Sequence, residues 1–144
     1  MGLAQKLVYP AQSKLAFYSR EAVCEFVLKQ GAVPLHPFMI FGYFLSDRVD
    51  RDIIRNANNT VVSRVDEIWV FGDTVANGVL AEIDLANSLG KPVKYFNIAT
   101  RAREIGEMDP IDLTFEEEVL KDNNHDIELL RDVVTGRRTL RNDF

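Results

Sequence analysis

Two hydrophobic spacings alternate along this chain, and each switch marks an element. Lys6-Leu7-Val8-Tyr9 predicts a short strand that ends at Pro10, because proline removes a ladder donor. Ala16, Val23, Phe26 and Val27 keep helical spacing across residues 16–30, and Gly31 stops that helix. Residues 32–35 predict a second strand, which Pro34 places near a sheet edge. An aromatic segment over 36–45 predicts a loop or irregular helix that covers a pocket or a subunit interface. Ser46-Asp47 offers a cap for a helix over 50–63, with Ile53, Ile54, Ala57 and Val61-Val62 on one side. Ile68-Trp69-Val70-Phe71 is continuously apolar, as a central strand buried on both faces requires. A helix over 77–89 ends at Gly90, and a fourth strand follows over 92–98.

This β-α-β-α-β-α-β order predicts an α/β fold: a flavodoxin-like parallel sheet of four or five strands, right-handed crossovers, and helices on both faces. The domain spans residues 1–100. Residues 101–144 form an acidic C-terminal helical extension of the same domain. There, Thr114 caps a helix expected to run to about Val134 and stop at Gly136.

Charge sharpens this division. The chain has 144 residues and a net charge of −5. Residues 1–100 hold ten basic and ten acidic residues, and the tail holds seven against twelve. Neither part has the basic surplus of a polymeric nucleic-acid binder, and Arg137-Arg138 with Arg141 read as a solvated end. The apolar runs are too short to cross a bilayer, so no membrane partner is expected. The first residues lack a signal-peptide pattern, and Lys6 replaces the Ser or Thr that myristoylation of Gly2 wants. A cytoplasmic location is the default. Cys24 is the only cysteine, so no internal disulfide forms, and its place within a helix reads as core. Two histidines and one cysteine argue against a structural zinc site. No metal or other cofactor is expected. Neither G-x-G-x-x-G nor G-x-x-x-x-G-K-[S/T] occurs.

The residue that asks for an explanation is Glu82. Helical spacing puts Val79, Ile83, Ala86 and Gly90 on one face and Asp84, Asn87 and Ser88 on the opposite one. Glu82 falls at the edge of the packed stripe, with no Lys or Arg three or four residues away. Half-buried acids without a local partner suggest a ligand site. In open parallel sheets, ligands bind beyond the strand carboxyl ends where strand order reverses. The loops expected there hold Pro10, Ala11, Gln12 and Ser13 after the first strand, and Gly72, Asp73, Asn77 and Gly78 after the third. The helix start near Asn77-Gly78 offers free N–H groups to an anion. His36 titrates near neutrality and is a candidate general acid. Asp66 reads as a cap or pair before its strand, and Trp69 as a core anchor.

The pattern Gly78-x-x-x-Glu82-x-x-x-Ala86-x-x-x-Gly90-Lys91-Pro92, with Asp66 and Tyr9, resembles the nucleoside 2-deoxyribosyltransferase-like superfamily. The likeness covers residues 6–98 and is most specific over 65–96, where Asp66-Glu67-Ile68-Trp69-Val70-Phe71-Gly72 is similar to a small, mostly uncharacterised branch. It implies that Glu82 attacks an anomeric carbon, that Tyr9 orients the carboxylate, and that neighbouring subunits complete each other's pockets. A homo-oligomer, dimer or higher, is the matching expectation. Two positions depart from the family pattern. Ala76 stands where an Asp or Ser is usual, and Asn58 stands where an Asp is usual, with Asn56 and Asn59 nearby. Asp73 or Asn77 is the candidate substitute for contact with the leaving base. The expected activity is cleavage or transfer at the N-glycosidic bond of a nucleoside or nucleotide. The alternatives are a non-catalytic binding module for the same ligands and a structural oligomer.

Overall fold

Alternation along the strands sorts the apolar side chains into two cores, one on each face of a single sheet. The computed structural model describes residues 4–42, 45 and 47–140. Tyr43 and Phe44 of the aromatic segment, Ser46 of the expected cap, Arg141 of the basic end and residues 1–3 lie outside the described residues. In chain order the elements are β1 (Leu7–Gln12), α1 (Arg20–Lys29), β2 (Val33–Pro34), α2 (Pro37–Ile40), α3 (Arg51–Arg64) and β3 (Glu67–Phe71). There follow β4 (Thr74–Val75), α4 (Asn77–Ser88), β5 (Val93–Phe96), β6 (Thr114–Phe115), α5 (Glu117–Asp122) and α6 (Ile127–Val134).

β1, β2, β3 and β5 form a parallel four-stranded sheet in the order β2-β1-β3-β5. The chain steps one way from β1 to β2 and the other way from β2 to β3 and β5. Right-handed crossovers then put α1 on one face and α3 with α4 on the other. The cores agree. Val8, Trp69, Phe71 and Phe96 pack with Val23, Phe26 and Val27 of α1. Tyr9, Ala11, Ile68, Val70 and Tyr95 pack with Val62 of α3, with Val79, Leu80 and Ile83 of α4, and with Leu130 and Val133 of α6. Every residue of β3 is buried: Ile68 to Phe71 as expected, and Glu67 as well. Strand order reverses between β1 and β3, so their carboxyl ends flank the crevice where such folds take ligands.

Four expectations are corrected. β1 does not end at Pro10 but continues to Gln12, pairing Pro10 with Trp69 and Gln12 with Phe71 of β3. The carbonyls of Lys6 and Val8 accept from Val33 and Leu35, so residues 6, 8 and 10 face β2. The donor that proline lacks is therefore missing only on that side. β2 stops there, while pairing with β3 runs on.

The helix expected from residue 16 begins as a 3₁₀ turn over Lys14–Ser19, capped by the Ser13 hydroxyl accepting from the Leu15 N–H. The α-helix proper starts at Arg20. The third helix is capped by Asp50 rather than Ser46-Asp47, its carboxylate accepting from the Asp52 N–H.

The tail is not one helix. Thr114 and Phe115 pair with Thr74 and Val75 as a two-stranded parallel sheet. α5 then ends, and Asn124 and His125 take φ of 55° and 56° before Asp126 caps α6. Asn tolerates the left-handed region better than most residues, which makes this break cheap. No helix among the described residues is long and apolar enough to cross a membrane.

Candidate functional site

β1 and α4 bring Tyr9 and Glu82 together. Tyr9 is fully buried and lies on the sheet face that α4 covers. Its hydroxyl donates a hydrogen bond to Oε2 of Glu82, 73 positions away in sequence. Burial pushes the Glu82 carboxyl up to about 7, against a smaller downward pull from the Tyr9 bond. Tyr9 itself is raised well above its ordinary value, first by burial and then by the charge and hydrogen bond of Glu82. The phenol therefore keeps its proton as the donor, and the carboxyl is pushed toward neutrality.

Glu82 is half-buried, and a fully buried acid shows what compensation looks like. Glu67 of β3 meets Lys6 Nζ at 2.6 Å and Lys94 Nζ at 3.5 Å, and accepts from Trp69 Nε1 at 2.8 Å. Burial pushes this acid up, but the Lys6 and Trp69 hydrogen bonds and the Lys94 charge outweigh it and hold the pKa below the usual carboxylate range. No ion pair among the described residues involves Glu82. Glu67 is neutralised by two lysines, while the contact seen for Glu82 among the described residues is the Tyr9 hydroxyl.

Asn58 adds a second unfilled valence. Its Oδ1 is buried and has no hydrogen-bond partner among the described residues. Asn58 sits one turn before Val62 on α3, which packs against α4, and Val62 belongs to the core that holds Tyr9. An unsatisfied buried acceptor costs about 1–3 kcal/mol, and a ligand donor would remove that cost.

The strand ends hold the remaining candidates. Pro10 and Ala11 are buried within β1. Gln12 is also buried, and its amide is fully engaged: Nε2 donates to the Ala16 carbonyl and Oε1 accepts from His36 Nε2, each at 2.7 Å. His36 Nδ1 accepts from the Phe38 N–H at 3.1 Å, so the ring proton sits on Nε2. Burial, with the positive charge of Arg20, lowers His36 to about 4. The expected near-neutral titration of His36 is thus corrected: the imidazole is a neutral strut that fixes the β1 exit.

Gly72 takes φ of +114°, a region closed to most side chains, and turns the chain out of β3. Asp73 is exposed, and its carboxylate accepts from Thr74 Oγ1 at 3.3 Å. Asn77 is the first residue of α4 rather than its cap. The cap is Ala76, which has no side-chain bond to give, and Asn77 Nδ2 donates to Asp122 at 2.9 Å. Gly78 is exposed. Asp66 accepts from the Leu7 N–H at 2.8 Å, a structural pairing before β3 as expected.

Three residues escaped sequence reasoning. Asp84, assigned to the polar face of α4, is buried, with its carboxylate accepting from the Leu140 N–H at 2.6 Å. Asn87 on the same side donates to the Val133 carbonyl at 2.8 Å. The tail covers that face, which helical periodicity alone does not reveal. Glu116 of the tail reaches the β1 exit, where Ser13 Oγ donates to it at 3.0 Å. An open groove of about 530 Å³ runs along α1 and α2 between Glu21, Cys24, Leu28, Lys29 and Met39, on the other side of the sheet from Glu82.

Residues 10–96 match the model of a domain of unknown function (DUF7768), which spans more than half of the chain. No curated protein matches the sequence.

Proposed function

We propose that this protein, which belongs to the DUF7768 family, cleaves or transfers at the N-glycosidic bond of a nucleoside or nucleotide, with Glu82 as nucleophile. The observation that carries the reading is the Tyr9 hydroxyl bonded to a half-buried carboxyl that makes no ion pair among the described residues. Departure of a base from a sugar develops oxocarbenium character at the anomeric carbon. The Glu82 carboxylate stabilises that charge and then traps it. A bond forms from its oxygen to the anomeric carbon while the carbon–nitrogen bond breaks, and the electron pair leaves with the base, which takes up a proton. Tyr9 occupies Oε2, which leaves Oε1 to face the sugar. Water attack on the glycosyl ester gives hydrolysis and restores the carboxylate, and attack by a second base gives transfer. The unpartnered Asn58 acceptor, on the neighbouring helix, supports a ligand that brings a donor.

One observation favours the second reading, a nucleoside- or nucleotide-binding module without turnover. Ala76 offers no acid at the start of α4, Asp73 is exposed and Asn77 is engaged by Asp122. Among the described residues, the half of the chemistry that serves the leaving base is then unassembled. A homo-oligomer whose neighbouring subunit supplies that half fits the same reading, and light scattering tests it.

The deciding experiment is base release from a panel of nucleosides and 5′-monophosphates, with wild type and Glu82→Gln. Release that Glu82→Gln abolishes supports the enzyme. Ligand-dependent thermal stabilisation without release supports the binder.

A further inference from the structure

We propose that the face built by α1, α2 and the 3₁₀ turn before α1 seats a second copy of this chain, in a two-fold dimer whose α1 helices lie antiparallel. The face is continuous. Tyr18 packs edge-on against Phe17, ring centroids 5.3 Å apart, and Phe17 meets Phe38 of α2 at 6.2 Å. Phe38 precedes Met39 and Ile40, and Met39 lines one groove with Cys24 and Leu28 of α1. Tyr18, Leu28, Met39 and Ile40 are 85%, 58%, 48% and 47% exposed, so apolar surface faces water along the whole layer. Elsewhere Ile53, Leu89, Ile111 and Ile127 stand singly on separate parts of the chain, which is ordinary for a protein surface. The four clustered side chains expose roughly 500 Å², near the upper end for a lone patch on a monomer. The exposed Glu21, Glu25 and Lys29 beside them bring the face to roughly 800 Å², which is what one partner of a stable dimer buries.

The charges on this face match a copy of themselves. Arg20, Glu21, Glu25 and Lys29 sum to zero, in a chain of net −5. A partner of one dominant charge finds no surplus of the other sign here. Glu21 lies in the first turn of α1 and Lys29 in the last, roughly 12 Å apart along the helix. With two α1 helices antiparallel about an axis beside Glu25, Glu21 of each copy comes opposite Lys29 of the partner subunit. Glu21 makes no ion pair among the described residues, so that contact costs no existing one. Lys29 also holds Glu25 of its own helix at 2.6 Å, which offsets repulsion between the two Glu25 carboxylates near the axis. Leu28 then falls opposite the stretch between Glu21 and Glu25 of the partner subunit, over the groove. The face lies across the sheet from Glu82, so this contact is separate from the Glu82 site.

The test is the mass of the full chain by light scattering over a micromolar dilution series, with the rate at which a maleimide labels Cys24. Cys24 is the chain's one cysteine and lines the groove half-buried. At the concentrated end, wild type has twice the 16.4 kDa of one chain. Dimerisation slows Cys24 labelling by about 10-fold or more, because the partner covers the groove. Leu28→Asp and Met39→Asp each put a charge into the apolar contact, weaken association by about 10-fold or more and restore fast labelling. Both side chains are exposed in the single chain, so the fold persists, and the melting temperature checks this. Ile53→Asp, at an exposed position of α3 across the sheet, leaves mass and labelling unchanged. A chain that stays monomeric at every concentration overturns the proposal, as does a dimer that Leu28→Asp and Met39→Asp leave intact. Protection of Cys24 that arises only in cell extract, with the purified chain monomeric, assigns the face to a foreign protein and overturns it too. Base release and its loss in Glu82→Gln are read separately, so the dimer and the glycosidic chemistry stand or fall independently.

Discussion

Replacing Tyr9 by phenylalanine removes one oxygen and leaves the ring in the core it fills. The lost bond is the one that draws the Glu82 pKa down against the larger upward push of burial. Hydrogen bonds to charged groups contribute about 1.5–3 kcal/mol, and 1.36 kcal/mol corresponds to one pKa unit, so Tyr9→Phe carries Glu82 from about 7 to about 8–9. At pH 7 the ionised fraction then falls from about half to between about 1% and 10%, and the attack rate falls by about 5- to 50-fold. Raising the pH restores part of that loss, because the carboxylate returns even without the phenol. Two measurements check this: the pH profile of base release, and carboxyl carbon titration of Glu82 by NMR, which reports the pKa whether or not there is turnover. A Glu82 that titrates at the same pH with and without the Tyr9 hydroxyl refutes the orienting role.

Three further outcomes follow from the buried titrations and the tail. The folded-state pKa of Glu82 lies above its ordinary 4.5, so the stability associated with its neutral form is lost as pH rises from 4.5 through about 7. Glu82→Gln therefore stabilises the fold by about 2–3 kcal/mol more at pH 8 than at pH 4.5, read as the change in melting temperature against pH. His36 is lowered from 6.5 to about 4, so the folded protein loses about 3 kcal/mol as pH drops through that window, and His36→Gln flattens this acid limb in denaturant titrations. Asp84→Ala leaves the Leu140 N–H without its acceptor and loosens the tail, which lowers stability by about 1–3 kcal/mol and speeds proteolysis after residue 134.

The sheet was legible because its strands announce themselves. The continuous apolar run of β3 allows only a central position, and Pro34 confines β2 to an edge. Pro10 misled because the sequence does not say which neighbour its missing donor faces. The tail misled for a related reason: Thr114 and Phe115 suit a strand only once Thr74 and Val75 lie beside them. At the site, the isolation of Glu82 in its helix was visible from spacing, and the resemblance supplied Tyr9 as its partner. Burial of Asp84 and the reach of Glu116 depend on contacts that cross 56 and 103 positions of sequence, which no local pattern encodes. His36 looked like a proton donor from residue type alone, and only its two hydrogen bonds and full burial identify it as neutral.

The central claim is a covalent bond from Glu82 to a sugar. A 2-fluoro-arabinosyl nucleoside is the direct probe, because the fluorine disfavours positive charge at the anomeric carbon and slows breakdown of the glycosyl ester. Intact-protein mass spectrometry after incubation should show one fluorinated sugar added per chain, and peptide mapping should assign it to Glu82, with no adduct in Glu82→Gln. An adduct on another residue, or base release from the probe with no adduct at any time, would contradict the account.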